Sequence, residues 1–303
     1  MIFFIKKRYE IIHIHNVPDF LVFTAIIPKM FGTKVILDIH DILPEFYASK
    51  FSKNESSAIV KFIKLIENLS VCFSDHVIIS NHLWGEKLVR RSSPNKKISV
   101  IMNYPDPEYF FPRNVEKVGG KVILAYPGTL NYHQGVDVAI RALFLIKDKI
   151  QQVEFVIYGD GKDRLALEAM VSELGLERQV IFKGRIPLDK LAEEVSKADI
   201  GIVPKRDDDF GGEAFSTKTL EFMAMGIPII LSATRIDRYY FNESVVRFFR
   251  PGDAADLSVA MTQLIEDANE RKRLSKNAFE FVKEMSWKVR KKEYLDIVES
   301  LSS

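Results

Sequence analysis

The chain has 303 residues, 47% of them hydrophobic and 28% charged, a make-up that allows two folded domains, each burying its own core. Its 43 basic and 41 acidic residues are intermixed and leave a net charge of +2, which excludes a basic nucleic-acid-binding surface. A single cysteine excludes an internal disulfide framework and suits a reducing cytoplasm, and no apolar run approaches the roughly 20 residues of a membrane span. The opening MIFFI is too short for a signal-peptide core, and its basic run KKRY follows rather than precedes it.

Apolar runs alternate with helical periodicity along most of the chain. Strands are predicted at residues 11–15, 34–40, 76–80 and 98–103, then at 122–126, 154–158, 179–183, 200–204 and 228–232. Most are continuous Val/Ile/Leu/Phe runs, as strands buried on both faces require. Helices are predicted between them, for instance at 135–149, 163–174 and 188–198. Such βα alternation implies parallel sheets with helices on both faces. Residues 104–120, with three prolines and a Gly-Gly pair, read as an interdomain linker. The expected division is 1–112, 113–286 and a terminal helix at 287–303 that returns toward the first domain. Residues 58–73 form a helix with a broad apolar face and Lys61 and Lys64 expected opposite it. It either packs on the first sheet or rests on a membrane surface. Cys72, in the same apolar run, is expected to be buried and inert.

The stretch GGEAFSTKTLEFMAMGIPII, residues 211–230, has the shape of a site. Ser216 is expected to cap a helix with its side-chain oxygen, and Gly226 and Pro228 to end it. The free N–H groups of Ser216, Thr217 and Lys218 suit a phosphate. Glu221 can accept hydrogen bonds from a polyol, and Glu213 can reach what is joined to the phosphate. The acidic run Asp207-Asp208-Asp209 is expected to be a solvated loop rather than a metal site. No zinc-type ligand cluster and no nucleophile-histidine arrangement is apparent.

Several motifs stand in a fixed order: VILDIHD, ISVIMNYPD, PGTLNYHQG, IYGDG, FKGRIP and the 211–230 stretch. In that order they resemble the retaining GT-B glycosyltransferases of family 4, also called glycosyl transferases group 1, over about residues 11–287. The resemblance implies two Rossmann-like, doubly wound α/β domains. It also implies a first domain lacking its N-terminal part, because family members open on a Gly-rich loop that has no counterpart here. The implied donor is a UDP-, GDP- or ADP-sugar, and the implied acceptor a glycan or lipid-linked molecule, as in polysaccharide biosynthesis. No metal or other cofactor is expected, and the implied location is the cytoplasm or the inner face of its membrane.

The resemblance also places residues. Glu221 matches the carboxylate that holds the ribose hydroxyls, and Glu213 the one that contacts the donor sugar. His40 matches the histidine that faces the transferred sugar, so Glu213 and His40 are the catalytic candidates. The donor side comprises Gly128, Thr129, His133 and Gln134 in the PGTLNYHQG loop, Gly159, and Arg185 with Ile186 beside the base. Family members carry an Arg and a Lys where this chain has Thr129 and Gln134. Lys205, Arg206 and Lys218 are the expected replacements in gripping the diphosphate. His15 and Asn16 are expected to be structural rather than acceptor contacts. Two other readings remain: a donor-binding module or split remnant that needs a partner chain, and a nucleotide-sugar epimerase.

Overall fold

The computed structural model describes residues 8–51, 54, 56–92, 97–115 and 120–302. The opening MIFFI and residues 116–119 of the expected linker lie outside them. Contacts divide the chain into two units. The first is Met1–Asn103 with Glu213–Phe215 and Arg290–Ser303, and the second is Tyr104–Gly212 with Ser216–Val289.

The first unit is built on four parallel strands, β1 (Ile11–His15), β2 (Lys34–Ile39), β3 (His76–Ile79) and β4 (Ile98–Val100), in the order β1-β2-β3-β4. Its helices are α1 (Ile26–Met30), α2 (Leu43–Lys50), α3 (Ala58–Phe73) and α4 (His82–Arg91), the last capped by the Asn81 side chain accepting from the Trp84 N–H. Ile36 and Ile78 of the sheet pack against Ile297, Tyr294 and Val298 near the C-terminus.

The second unit carries six parallel strands: β5 (Val122–Pro127), β6 (Val153–Tyr158), β7 (Val180–Gly184), β8 (Ile200–Val203), β9 (Ile229–Ser232) and β10 (Arg247–Phe249). Their order is β10-β9-β8-β5-β6-β7, the doubly wound arrangement in which the chain starts in the middle and winds outward both ways. Winding reverses between β5 and β8, and the crevice at their carboxyl ends is where such sheets bind ligands. The helices are α5 (Val136–Ile146), α6 (Arg164–Glu173), α7 (Leu188–Val195), α8 (Thr217–Ala224), α9 (Arg235–Tyr240), α10 (Ala254–Glu266), α11 (Ala268–Lys283) and α12 (Trp287–Ser302), which continues into the first unit. Leu124, Phe155, Ile202, Ile230, Leu143 and Leu257 belong to one buried cluster joining the sheet to its flanking helices. Asp253 and Asp267 cap α10 and α11 by accepting from N–H groups of their first turns. The short strand β10 escapes a sequence reading because only Arg247-Phe248-Phe249 pairs, with β9 alone.

Helix α3 turns an unexpected face inward. Val60, Glu67, Ser70 and Val71 are buried, whereas Phe62, Leu65 and Leu69 are 60%, 52% and 48% exposed. Lys61 lies on the exposed arc beside them rather than opposite, and Cys72 is exposed rather than buried. The cause is a charge network. Arg91 pairs with Glu67 at 2.5 Å and with Glu45 at 2.5 Å, and both carboxylates are buried. Fixing Glu67 inward rotates the apolar stripe outward. Removing one partner of a buried network leaves its charges uncompensated, at a cost of about 3–5 kcal/mol. Arg91→Ala should therefore destabilise the chain by about that amount in urea unfolding. A loss no larger than that of an ordinary surface substitution would show that the network is not what holds α3.

Candidate functional site

Within the second unit, the loops after β5, β6 and β7 enclose a groove of about 280 Å³ lined by Gly128, Thr129, Tyr158, Gly159, Asp160, Gly184, Arg185, Ile186 and Leu191. The loop after β5 approaches those after β6 and β8 closely because two positions lack side chains. Gly159 has φ +138°, and a Cβ there would sit 1.9 Å from the Gly128 carbonyl oxygen. Gly135, at φ +68°, would place one 1.9 Å from the Pro204 oxygen. Backbone bonds tie the same loops: the Gly128 N–H donates to Tyr158 and the Gly159 N–H to Gly184. Gly159 and the 184–186 turn, expected apart in the sequence, thus form one wall with Gly128 and Thr129.

The start of α8 lies at the reversal between β5 and β8. Lys218 Nζ donates to Gln134 Oε1 at 3.0 Å, and Gln134 Oε1 also accepts from the Tyr126 hydroxyl at 3.1 Å. A Cβ on Gly128 would lie 3.1 Å from the same Nζ. Lys218 from α8 therefore delivers its charge to the loop position where Gln134 stands. Burial pushes the Lys218 ammonium down to about 8, against the pull of Glu221, with Lys205 adding to the depression. Burial also pushes the Glu221 carboxyl up, opposed by Lys218 and by a hydrogen bond from Thr217. His133, in the same loop, is held below the usual imidazole range by burial.

The other two expected cations are engaged within the protein. Lys205 is buried and ion-paired with Asp237 at 3.0 Å, and it donates to the Gly211 carbonyl. Arg206 makes a bidentate pair with Asp137, at 2.8 and 2.7 Å, and stacks on the Tyr132 ring. Of the three expected replacements, only Lys218 is set beside Gly128. The partners Asp237 and Asp137 were not foreseeable from spacing, since each lies more than 30 positions away.

Ser216 occupies the N-cap position, but its side chain makes no capping hydrogen bond, contrary to expectation. Its hydroxyl and that of Thr219 are buried and lack a hydrogen-bond partner. Their groups are turned inward rather than spent on the helix end. In the acidic run, Asp208 accepts from the Phe210 and Gly211 N–H groups, so it shapes the turn that precedes α8.

The two catalytic candidates both cluster with the first unit. Glu213 is buried, with its Oε2 2.6 Å from Lys87 Nζ, and its carbonyl accepts from Asn81. Lys87, in the middle of α4, was missed by sequence reasoning because no local motif marks it. His40, just after β2, has Nε2 2.9 Å from His15 Nδ1 and 3.5 Å from Asp38 Oδ2. Asn16 does structural work, accepting from the His40 N–H and donating to the Asp41 carbonyl. His13, His15 and Asp38 present ligand-type atoms within 4.8 Å of one another. The expected absence of a histidine-carboxylate cluster is thereby corrected. The signal was present as His-x-His and Asp-x-His on successive strands, whose alternation puts all four residues on one face.

Two α/β units of this topology, the second with a glycine-walled groove beside its winding reversal, define the GT-B class of glycosyltransferase fold. Solved GT-B structures superpose on the chain. Sucrose-phosphate synthase from Thermosynechococcus elongatus does so with a TM-score of 0.82 over 99% of this chain and 75% of its own, at 20% identity. Anabaena HepE in complex with UDP does so at 0.77 over 96% of this chain and 79% of its own, at 17% identity. The family model for glycosyl transferases group 1 matches residues 109–281, and the chain belongs to that family. It is 27% identical over 286 residues to the phosphatidylinositol N-acetylglucosaminyltransferase gpi3 subunit of Schizosaccharomyces pombe, covering 93% of this chain and 59% of that protein. It is 30% identical over 185 residues to the glycosyltransferase MJ1607 of Methanocaldococcus jannaschii, covering 57% and 46%. The chain thus spans about half of the length of these relatives.

The depressed Lys218 has a signature in stability. An unfolded lysine keeps its proton up to its ordinary value of 10.5, whereas the folded one releases it near 8. Between those values the unfolded chain binds more protons, so stability should rise with pH across that window, by up to about 3 kcal/mol. Urea midpoints measured from pH 7.5 to 10.5, with Lys218→Met flattening the rise, check this; identical pH profiles for the two chains would refute it.

Proposed function

We propose that this chain is a nucleotide-sugar-dependent glycosyltransferase of the retaining family 4 type, acting on a glycan or lipid-linked acceptor. What carries the reading is the meeting of Lys218, Gln134 and Gly128 at the winding reversal, beside the groove of Gly159, Gly184 and Ile186. The groove suits the nucleoside, with backbone groups at Arg185 and Ile186 facing the base. Lys218 and the first N–H groups of α8 suit the diphosphate, whose growing charge must be stabilised as it leaves. Glu221 takes the ribose hydroxyls. HepE has been solved with UDP and with UDP-glucose, which supports a uridine donor first among the candidates.

Glu213 and His40 take the sugar side of the chemistry. Glu213 is poised by Lys87 as an acceptor of sugar hydroxyl hydrogen bonds. The cationic grip on the diphosphate comes from Lys218, helped by backbone N–H groups, so no metal is required at the donor. Retention follows if the departing phosphate takes the acceptor proton on the face it leaves. The proposed location is cytoplasmic, at the membrane's inner face. No helix among the described residues is long and apolar enough to cross a membrane. The outward stripe Phe62, Leu65 and Leu69 with Lys61 suits the surface of an anionic bilayer instead.

Glu221→Ala should weaken UDP binding by about 10- to 100-fold, the loss of one or two hydrogen bonds to a charged group, as read by calorimetry. Unchanged affinity would remove the site. Incubation with UDP-, GDP- and ADP-sugars should give nucleotide release, and EDTA should leave nucleotide binding intact. Tight binding with no release under any acceptor would favour a donor-binding module that needs a partner chain. Co-flotation with anionic vesicles should be lost in Phe62→Ser/Leu65→Ser. Flotation unchanged by those substitutions would remove α3 as the membrane contact.

A further inference from the structure

The first unit holds a group of side chains that the donor chemistry does not use. His13 and His15 alternate onto one face of β1, and Asp38, paired in register with His15, comes from β2. Asp38 Oδ2 lies 3.3 Å from His13 Nε2 and 3.1 Å from His15 Nδ1. Ligand atoms placed about 2.0–2.1 Å from a tetrahedral zinc ion are separated by about 3.3 Å. Both separations fall close to that edge. His40 Nε2 stands at the rim, 3.5 Å from the same oxygen.

His13 Nε2 is buried and has no hydrogen-bond partner, although it points at a carboxylate oxygen. Its other nitrogen, Nδ1, is 3.0 Å from the Tyr294 hydroxyl. A neutral imidazole has one N–H; with that proton on Nδ1, donated to Tyr294, Nε2 offers a lone pair. In that tautomer a cation between the lone pair and the Asp38 carboxylate removes their repulsion; in the other, the Nε2–H faces the carboxylate. An outer partner on the second ring nitrogen is what a metal-binding histidine usually has.

We propose that His13, His15 and Asp38 form a binding site for a divalent transition-metal ion, with Zn²⁺ as the natural occupant. Two imidazoles and one carboxylate suit zinc, whereas Mg²⁺ and Ca²⁺ take oxygen ligands. Three protein ligands leave a fourth position for water or a hydroxyl group. His15 and His40 are the exposed members, at 58% and 39%, so that position opens on their side. The ion would tie β1 to β2 and, through Tyr294, to α12. The three ligands lie outside the nucleotide groove, and His40, bonded to His15, is shared with the sugar side of the proposed reading.

The full-length chain, stripped with chelator and dialysed, is titrated with Zn²⁺ alone by calorimetry, and with Co²⁺ followed by its visible absorption. The expected result is one saturable equivalent, a tetrahedral-type Co²⁺ spectrum and a raised melting temperature. Asp38→Asn and His13→Ala should abolish the spectrum. Tyr294→Phe, which removes no ligand, should weaken Zn²⁺ by about tenfold or more. Circular dichroism of each variant separates loss of the site from loss of the fold. Glu221→Ala should keep the metal equivalent, so failure of the nucleotide site leaves this test standing. No saturable equivalent in the unaltered chain, or binding that persists in folded Asp38→Asn and His13→Ala, would overturn the proposal.

Discussion

The candidate donor site depends on backbone meeting backbone at the ends of three strands. Gly159 lies directly against the Gly128 carbonyl, and the Gly128 and Gly159 N–H groups donate to Tyr158 and Gly184, the last residues of β6 and β7. With φ at +138° and a carbonyl 1.9 Å from where a Cβ would be, position 159 admits only glycine. Position 135 is held in the same way against Pro204, which seats the 128–134 loop over the strand from which Lys205 leaves. Beyond this main-chain contact, Tyr158, Arg185, Ile186 and Leu191 complete the lining of the groove.

Charge burial then sorts the cations. A buried ammonium or guanidinium is tolerated when paired, and Lys205 and Arg206 meet Asp237 and Asp137. Those pairs fasten the segment leading into α8. Lys218 is bonded instead to the neutral oxygen of Gln134, with Glu221 one helical turn away. It therefore keeps a charge that a diphosphate could take up. In the proposed reading, this lysine from α8 stands in for the basic residues expected at Thr129 and Gln134.

The first unit follows another constraint. Arg91 gathers Glu45 and Glu67 into the interior, and this polar anchor sets the rotation of α3. An apolar stripe faces outward because a charged residue on the same helix faces inward. Elsewhere in the unit, Ile297 and Val298 of α12 pack with Ile36 and Ile78, and Tyr294 reaches His13 of β1.

Much of this was legible in the chain itself. Mostly continuous apolar runs marked nine of the ten strands among the described residues, as strands buried on both faces require. The ordered motifs located Glu221, the 128–134 loop and the 184–186 turn on one unit. What depended on long-range neighbours was not legible: the engagement of Lys205 and Arg206, the Lys87–Glu213 pair, the inward Glu67 and the uncapped Ser216. Each is decided by a partner far away in sequence, and local spacing carries no information about it. The chain alone therefore determined its parallel α/β architecture and its family, since periodicity and motif order are local properties. Only the tertiary structure decided which charges are spent on folding and which stand beside the groove, because burial and pairing exist only once distant residues meet.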